Sequence, residues 1–316
     1  MEKMGKVKFW VGVTDNGWFD FLSRRLPDEV NFWSPGGQGF QALDCGGPFL
    51  FKLHSPLNYV VGGGFFVKCW RIQTSLAWEA FGEKNGVATF KELVEKINTF
   101  RKRPEPNPII GCIILAEPFF FARNDWIPIP EDWQPNIVRG RRYDTADAIG
   151  KRLWTQVQER LSRYPKPDEA GIKEIPVAAE DAELYGNEYL THARLGQGAF
   201  RMLVTEAYNW RCAITGERTL PVLEAAHIKP VSRTGSNRTS NGLLVRSDMH
   251  KLFDLGYLTV TPDFHVEVSK RIKEEYENGR EYYAFHGKEL RVLPANPTER
   301  PSLELIEWHN QNIYVP

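Results

Sequence analysis

The chain has 316 residues, enough for two domains at roughly 150 residues each. It is 42% hydrophobic and 13% aromatic, which excludes a wholly disordered chain and points to ordinary packed cores. The 40 Lys and Arg balance the 40 Asp and Glu, so a nucleic-acid partner would have to be met by a local basic surface.

The first 140 or so residues read as strands punctuated by Gly and Pro. Candidate strands are "VKFWVGV", "FLFKL", "NYVVGG", "FFVKCW" and "IIGCIIL", rich in β-branched and aromatic residues. A helix interrupts them. Thr89 and Glu92 form a capping-box signature ahead of Phe90, Leu93, Val94, Ile97 and Phe100, which share one helical face. A second helix is expected after Asp144 or Thr145, with Ile149, Leu153, Val157 and Leu161 as an apolar stripe that stops near "YPKP". Residues 166–189 carry seven acids against Lys166 and Lys173 and read as a linker. The last third opens on a helix near 198–210, then a tight turn at "ITGE", a strand "VLEAAHI", a long polar loop and "NGLLVRSDMHKLFDLG". Residues 228–251 set Lys229, Arg233, Arg238, Arg246 and Lys251 against the single acid Asp248, which makes them the local basic stretch.

The four cysteines, Cys45, Cys69, Cys112 and Cys212, form no CxxC pair, which argues against a disulfide scaffold and a four-cysteine zinc site. The opening "MEKMGKVKFWVG" lacks the apolar run and cleavage site of a signal peptide. No stretch reaches the ~20 apolar residues of a membrane helix. The expectation is a cytoplasmic protein with no membrane partner.

Asn241 follows His227 by 14 residues and His250 follows Asn241 by nine. With Ala226-His227-Ile228, Pro230, Asn241-Gly242-Leu243-Leu244, Asp248, His250 and Leu252-Phe253-Asp254-Leu255-Gly256, the segment resembles the HNH (ββα-metal) endonuclease family. The flanking "RLGQGAFR" and "YNWRCAITGE" are similar to restriction-type members. A lone histidine is more often structural, but this many residue types at fixed offsets reverse that weighting. The resemblance implies a metal-dependent DNA endonuclease with His227 as general base, Asn241 orienting its imidazole by hydrogen bonding and His250 as a metal ligand. It implies one divalent cation per site, with Mg²⁺, Mn²⁺, Ni²⁺ and Co²⁺ all plausible. Asp254, one helical turn beyond His250, is the best second ligand. The position before the base histidine, which binds metal in many family members, is Ala226 here. Glu224, on the same side of the strand, is a weaker candidate ligand. Cys212 stands alone with Thr215 at the second position of its pair, and Arg246 and Met249 occupy the other pair, so no structural zinc is expected.

The segments "GGPFLFKLHSPLNYVVGGGFF" and "SLAWEAFGEKNG" resemble the N-terminal part of restriction endonucleases of this architecture, and more loosely the PUA superfamily with its SRA and EVE domains. The expected fold class is therefore α+β: a PUA/SRA/EVE-like β-barrel-type recognition domain (1–143), a helix and acidic linker (144–190), and an HNH domain (191–316). The resemblance implies that the first domain reads a modified cytosine flipped from double-stranded DNA. The loop "NFWSPGGQGF" would serve, with Trp33 and Phe40 as stacking faces and Ser34 and Gln38 as hydrogen-bonding groups. Tyr59, Trp70 and Trp78 are alternatives. Arg233, Arg238, Arg246 and Lys251, with "RGRR" at 139–142, are candidate DNA contacts. The function expected is a modification-dependent restriction endonuclease acting as a homodimer. A conventional restriction enzyme on unmodified DNA and a non-catalytic DNA-binding protein are the alternatives.

Overall fold

The computed structural model describes residues 6–37, 39–163 and 195–316. Gln38 and the acidic stretch 166–189 lie outside the described residues. The chain separates into two compact units with the boundary between Leu195 and Gly196. Among the described residues, no helix is long and apolar enough to cross a membrane.

The first unit is a mixed sheet with helices on both faces. Its elements are β1 (Lys8–Thr14), α1 (Asn16–Ser23), β2 (Glu29–Ser34), β3 (Pro48–Leu53), β4 (Tyr59–Gln73), α2 (Thr74–Phe81), α3 (Phe90–Asn98), β5 (Ile109–Phe120), β6 (Ile127–Pro128), β7 (Gly140–Asp144) and α4 (Ala148–Leu161). The strands run in the order β2-β5-β4-β3-β1-β7, with β6 added to β4. Among the described residues of this unit, only β1 and β3 pair in parallel; the other pairings are antiparallel. Strand side chains alternate across the sheet. Phe49, Phe51 and Leu53 of β3 therefore join Trp18, Phe19 and Leu22 of α1 on one face. Leu50 joins Phe9, Val11, Leu153, Trp154 and Val157 on the other. Cover on both faces explains why every residue of "PFLFKL", Lys52 included, is buried.

Three expectations change here. The strand path is open, since no ladder joins β2 to β7 among the described residues, so the barrel-type closure is absent and the unit is an open sheet. The segments "NYVVGG" and "FFVKCW" are one 15-residue strand, β4. Its glycines let it cross close neighbours: a Cβ on Gly62 would sit 2.2 Å from the Phe119 carbonyl oxygen, and one on Gly63 2.6 Å from that of Phe49. Phe100 lies beyond the end of α3 and is 63% exposed, so it leaves the apolar face that Leu93 and Ile97 bury. The Thr89 cap forms as read, its hydroxyl accepting from the Glu92 N–H at 3.2 Å. Helix α4, assigned from the sequence to the linker segment, packs Leu153, Trp154 and Val157 into the first unit's core.

The second unit consists of α5 (Gln197–Ala207), a hairpin of β8 (Leu223–His227) and β9 (Gly242–Arg246), α6 (Ser247–Asp254), a second hairpin of β10 (Leu258–Val260) and β11 (Val266–Val268), and α7 (Arg271–Tyr276), α8 (Arg280–Tyr283) and α9 (Leu303–Asn312). One apolar core joins Phe200, Val204 and Tyr208 of α5 to Leu243, Leu244 and Val245 of β9 and to Met249 and Phe253 of α6. Cys212 packs in the same cluster as Met249.

Candidate active site

The hairpin and α6 form a ββα unit. His227 ends β8 opposite Gly242, and Glu224 lies opposite Val245 near the other end of the ladder. Helix α6 follows β9 directly, so His250 and Asp254 project from successive turns of one helix. Gly242 lets α5 approach the hairpin, because a Cβ there would come within 2.4 Å of Val204 Cγ2. That approach lays the Phe200 ring against the His227 imidazole, centroids 3.9 Å apart and planes 12° from parallel.

His227, His250 and Asp254 line one cleft of about 280 Å³, together with Gln197, Pro230 and His309. The structure thus brings together the base candidate, the metal-ligand candidate and the acid one turn on. Burial of the half-buried His227 ring pulls its pKa below the ordinary imidazole value. The Asn237 hydrogen bond opposes that shift, while the His250 charge adds to it and Asp254 opposes it. His227 Nε2 lies 2.9 Å from Asn237 Oδ1. An amide oxygen can only accept, so Nε2 carries the hydrogen and Nδ1 keeps the lone pair a general base needs.

Asn241 does not touch the imidazole as the sequence led one to expect. It is fully buried. Its Oδ1 accepts from the Lys229 N–H at 2.8 Å, and its Nδ2 donates to the carbonyls of Lys229 and Ser236 at 2.9 and 2.8 Å. Its backbone carbonyl accepts from Ile228 N–H at 2.9 Å. Asn241 therefore ties both ends of the 229–236 loop to the hairpin, and the imidazole is held by Asn237, the residue that follows this loop. Asn237 and Phe200 were missed from the sequence. Neither stands at a motif offset, and only the folded loop and helix packing deliver them to His227.

His250 is flanked by carboxylates. Its Nδ1 is 2.6 Å from Glu224 Oε2, and its Nε2 is 3.4 Å from Asp254 Oδ2. Glu224, a candidate metal ligand, is engaged with the ring nitrogen facing away from Asp254. A metal-binding histidine commonly donates its second N–H to a carboxylate in this way, which fixes its tautomer. The nitrogen and oxygen on the Asp254 side suit a hard or borderline divalent cation. Among the described residues, no group of three or more His, Cys, Asp or Glu side chains converges as a complete cation cage. The donors present fit a cation held partly by protein and partly by substrate or water.

His309, read as structural, borders the cleft but is nearly fully buried. Its ring stacks on Phe253 at 3.8 Å, and its Nε2 lies 3.2 Å from the Phe253 carbonyl oxygen. Burial pushes its pKa down to about 4.

The other candidates divide by how they are held. Arg233, Arg238 and Lys251 are exposed, and the Arg233 guanidinium lies 6.0 Å from the Trp308 ring centroid. Arg246 instead donates to Asp248, Nε to Oδ1 at 3.0 Å, which raises its own pKa and lowers that of Asp248, so it is engaged within the fold. In the first unit, Arg141 pairs with Asp132 and Arg142 donates twice to the Ala42 carbonyl. The Trp33 indole N–H donates to the Asn85 carbonyl at 2.9 Å. Phe40 packs edge-on between Trp10 and Phe66. Ser34 ends β2 and its carbonyl accepts from Gly37 N–H. Tyr59 is 38% exposed beside Trp126. Trp33 aligns with Cys112 of β5, whereas Gly62, just after Tyr59, aligns with Phe120 at the other end of that strand, so the structure does not gather these aromatics into one pocket.

The HNH endonuclease family matches residues 212–261, which hold β8, β9 and α6 with His227, Asn241, His250 and Asp254. A search of curated proteins finds no match. Among solved structures, the chain is similar to one titled "Modification dependent TagI restriction endonuclease", at 17% identity over 96% of this chain and 81% of that one, with a TM-score of 0.30. With the family match and the ββα geometry in agreement, residues 212–261 are an HNH endonuclease domain, a hydrolase of DNA phosphodiester bonds.

Proposed function

We propose that this chain is a modification-dependent restriction endonuclease, in which the second unit hydrolyses DNA and the first reads a modified cytosine. The observation that carries the hydrolytic half is the shared cleft: His227 with its Nε2–H held by Asn237, and His250 between Glu224 and Asp254. The reading half is supported by the similarity of the N-terminal segments to those of restriction endonucleases of this architecture.

His227 takes the proton of the attacking water at Nδ1. Phe200 fixes the plane of the ring and Asn237 fixes its tautomer. His250 Nε2 and Asp254 would hold one divalent cation, with Glu224 orienting His250 from behind. When bound, that cation supplies Lewis-acid relief of charge on the phosphate and the departing 3′ oxygen. The exposed Arg233, Arg238 and Lys251 contact phosphates, which positions the duplex without specifying a sequence. Cutting both strands calls for two such sites, so the working form is a homodimer.

The test is cleavage of matched unmodified, methylated, hydroxymethylated and glucosylated duplexes with magnesium, manganese, nickel and cobalt. The expected result is metal-dependent cutting of modified DNA, abolished by His227→Ala. Equal cutting of all four duplexes would overturn the modification dependence. The placement of Trp33 and Tyr59 toward opposite ends of β5 favours a second reading, a restriction enzyme for unmodified sites. Discrete fragments from a plain plasmid would establish it.

A further inference from the structure

The first unit carries a second surface, on the turn that follows Trp33 and Ser34. The turn after β2 and the segment after α3 form a groove of about 400 Å³, lined among others by Pro35, Gly36, Phe100, Lys102 and Arg103. Arg101 builds it. Its guanidinium donates to the carbonyls of Pro35 and Ile109, at 3.0 and 3.2 Å, and pairs with Glu105 at 3.1 Å. These bonds pin the 35–37 turn against the start of β5. Lys102 and Arg103 are exposed, and neither has an ion pair among the described residues. Arg71 is also exposed, its Nε close to Gly37. Phe100 is 63% exposed and Ile109 47% exposed, so apolar surface lies among the cations. The space beyond Gly36 is open.

Solvated charge runs are common, but this one has two further properties. Its cations outnumber its one acid, Glu105, which Arg101 already engages. It also presents an aromatic ring to solvent within a segment braced by several hydrogen bonds. Cations that track phosphates, combined with an aromatic face for a base, are the recurring chemistry of a nucleic-acid strand site.

We propose that this groove is a DNA-strand contact of the first unit, with Lys102 and Arg103 on phosphates and Phe100 against an unstacked base. The inference deepens the proposed function, in which the first unit engages DNA, but it does not require that the DNA be modified.

The experiment measures duplex binding by fluorescence anisotropy across a salt series. It uses the full chain carrying His227→Ala to prevent cleavage, with modified and unmodified DNA in parallel. Lys102→Glu/Arg103→Glu should weaken binding about tenfold on both DNAs and reduce the slope of log affinity against log salt by about 2, roughly one per lost phosphate contact. Phe100→Ala should weaken binding about fivefold or more, the low end for loss of a stacked base. Lys8→Glu/Lys151→Glu, an equal charge change at other exposed positions of the same unit, should leave the slope unchanged. An unchanged slope in the Lys102/Arg103 variant, or an equal loss in the control pair, overturns the proposal. If the parent protein binds both DNAs alike while the Lys102/Arg103 variant loses slope, the groove stands and modification dependence fails. If the parent discriminates and the variant binds like it, the groove falls and modification dependence stands.

Discussion

Replacing Asn241 with alanine separates two roles that the HNH pattern does not distinguish. If Asn241 aimed the imidazole directly, Asn241→Ala would cost activity and leave stability nearly intact. In the structure its side chain instead makes three hydrogen bonds, all to the backbone of the 229–236 loop, and has no solvent access. At about 1 kcal/mol net for each, the substitution should cost about 3 kcal/mol. For a unit of roughly 120 residues, an unfolding entropy of about 2.1 cal/mol/K per residue converts this to a fall of about 12 °C in its melting midpoint. The assay is calorimetry on the full chain, with hydrogen exchange to follow the amides of residues 229–237. The expected result is a lowered second-unit transition with lost protection across the loop. A midpoint within about 2 °C of the parent, with cleavage nonetheless collapsed, would refute the loop-anchoring role.

The complementary change is Asn237→Ala, which removes the acceptor of the His227 Nε2–H; loss of that bond should cost about 1 kcal/mol of stability. Single-turnover cleavage should fall about tenfold or more, within the range general-base chemistry contributes, and Asn237→Asp, which keeps an acceptor, should recover part of it. Asp254→Asn should weaken manganese binding measured by calorimetry by about tenfold or more, whereas Glu224→Gln should do so less, through His250. Burial holds His227 below the ordinary imidazole pKa. Its neutral form therefore persists under mildly acidic conditions, and the acid limb of kcat/KM should have its midpoint below ~6.5; a midpoint above that value would contradict the assignment. His309, held near 4 against an unfolded value of about 6.5, binds its proton more readily in the unfolded chain. Its contribution to stability is complete above pH ~6.5 and is lost as pH falls toward 4, by about 3 kcal/mol; His309→Gln should flatten that part of the stability–pH curve.

The nuclease domain was legible in the sequence because its chemistry depends on local geometry. A strand ending in His227, a hairpin return at Asn241 and a helix carrying His250 and Asp254 lie within 28 residues, so short-range spacing alone brings them to one side of the fold. The helices at Thr89 and Ala148 were legible for the same reason: capping and 3.6-residue periodicity are local signals. What the sequence could not express was decided by contacts between distant segments. Asn237 reaches His227 only because Asn241 folds the intervening loop, and Phe200 does so only because Gly242 admits α5. In the first unit, the run of strands and the loose PUA resemblance suggested a barrel, but helices pack on both faces of a sheet whose strand path stays open among the described residues. Phe100 matched the α3 stripe by its spacing, yet the helix ends at Asn98 and leaves it in solvent. Local pattern marked out the candidate residues; tertiary packing decided what holds each of them in place, because a hydrogen-bond partner or a stacking ring is chosen by proximity in space and leaves no period along the chain.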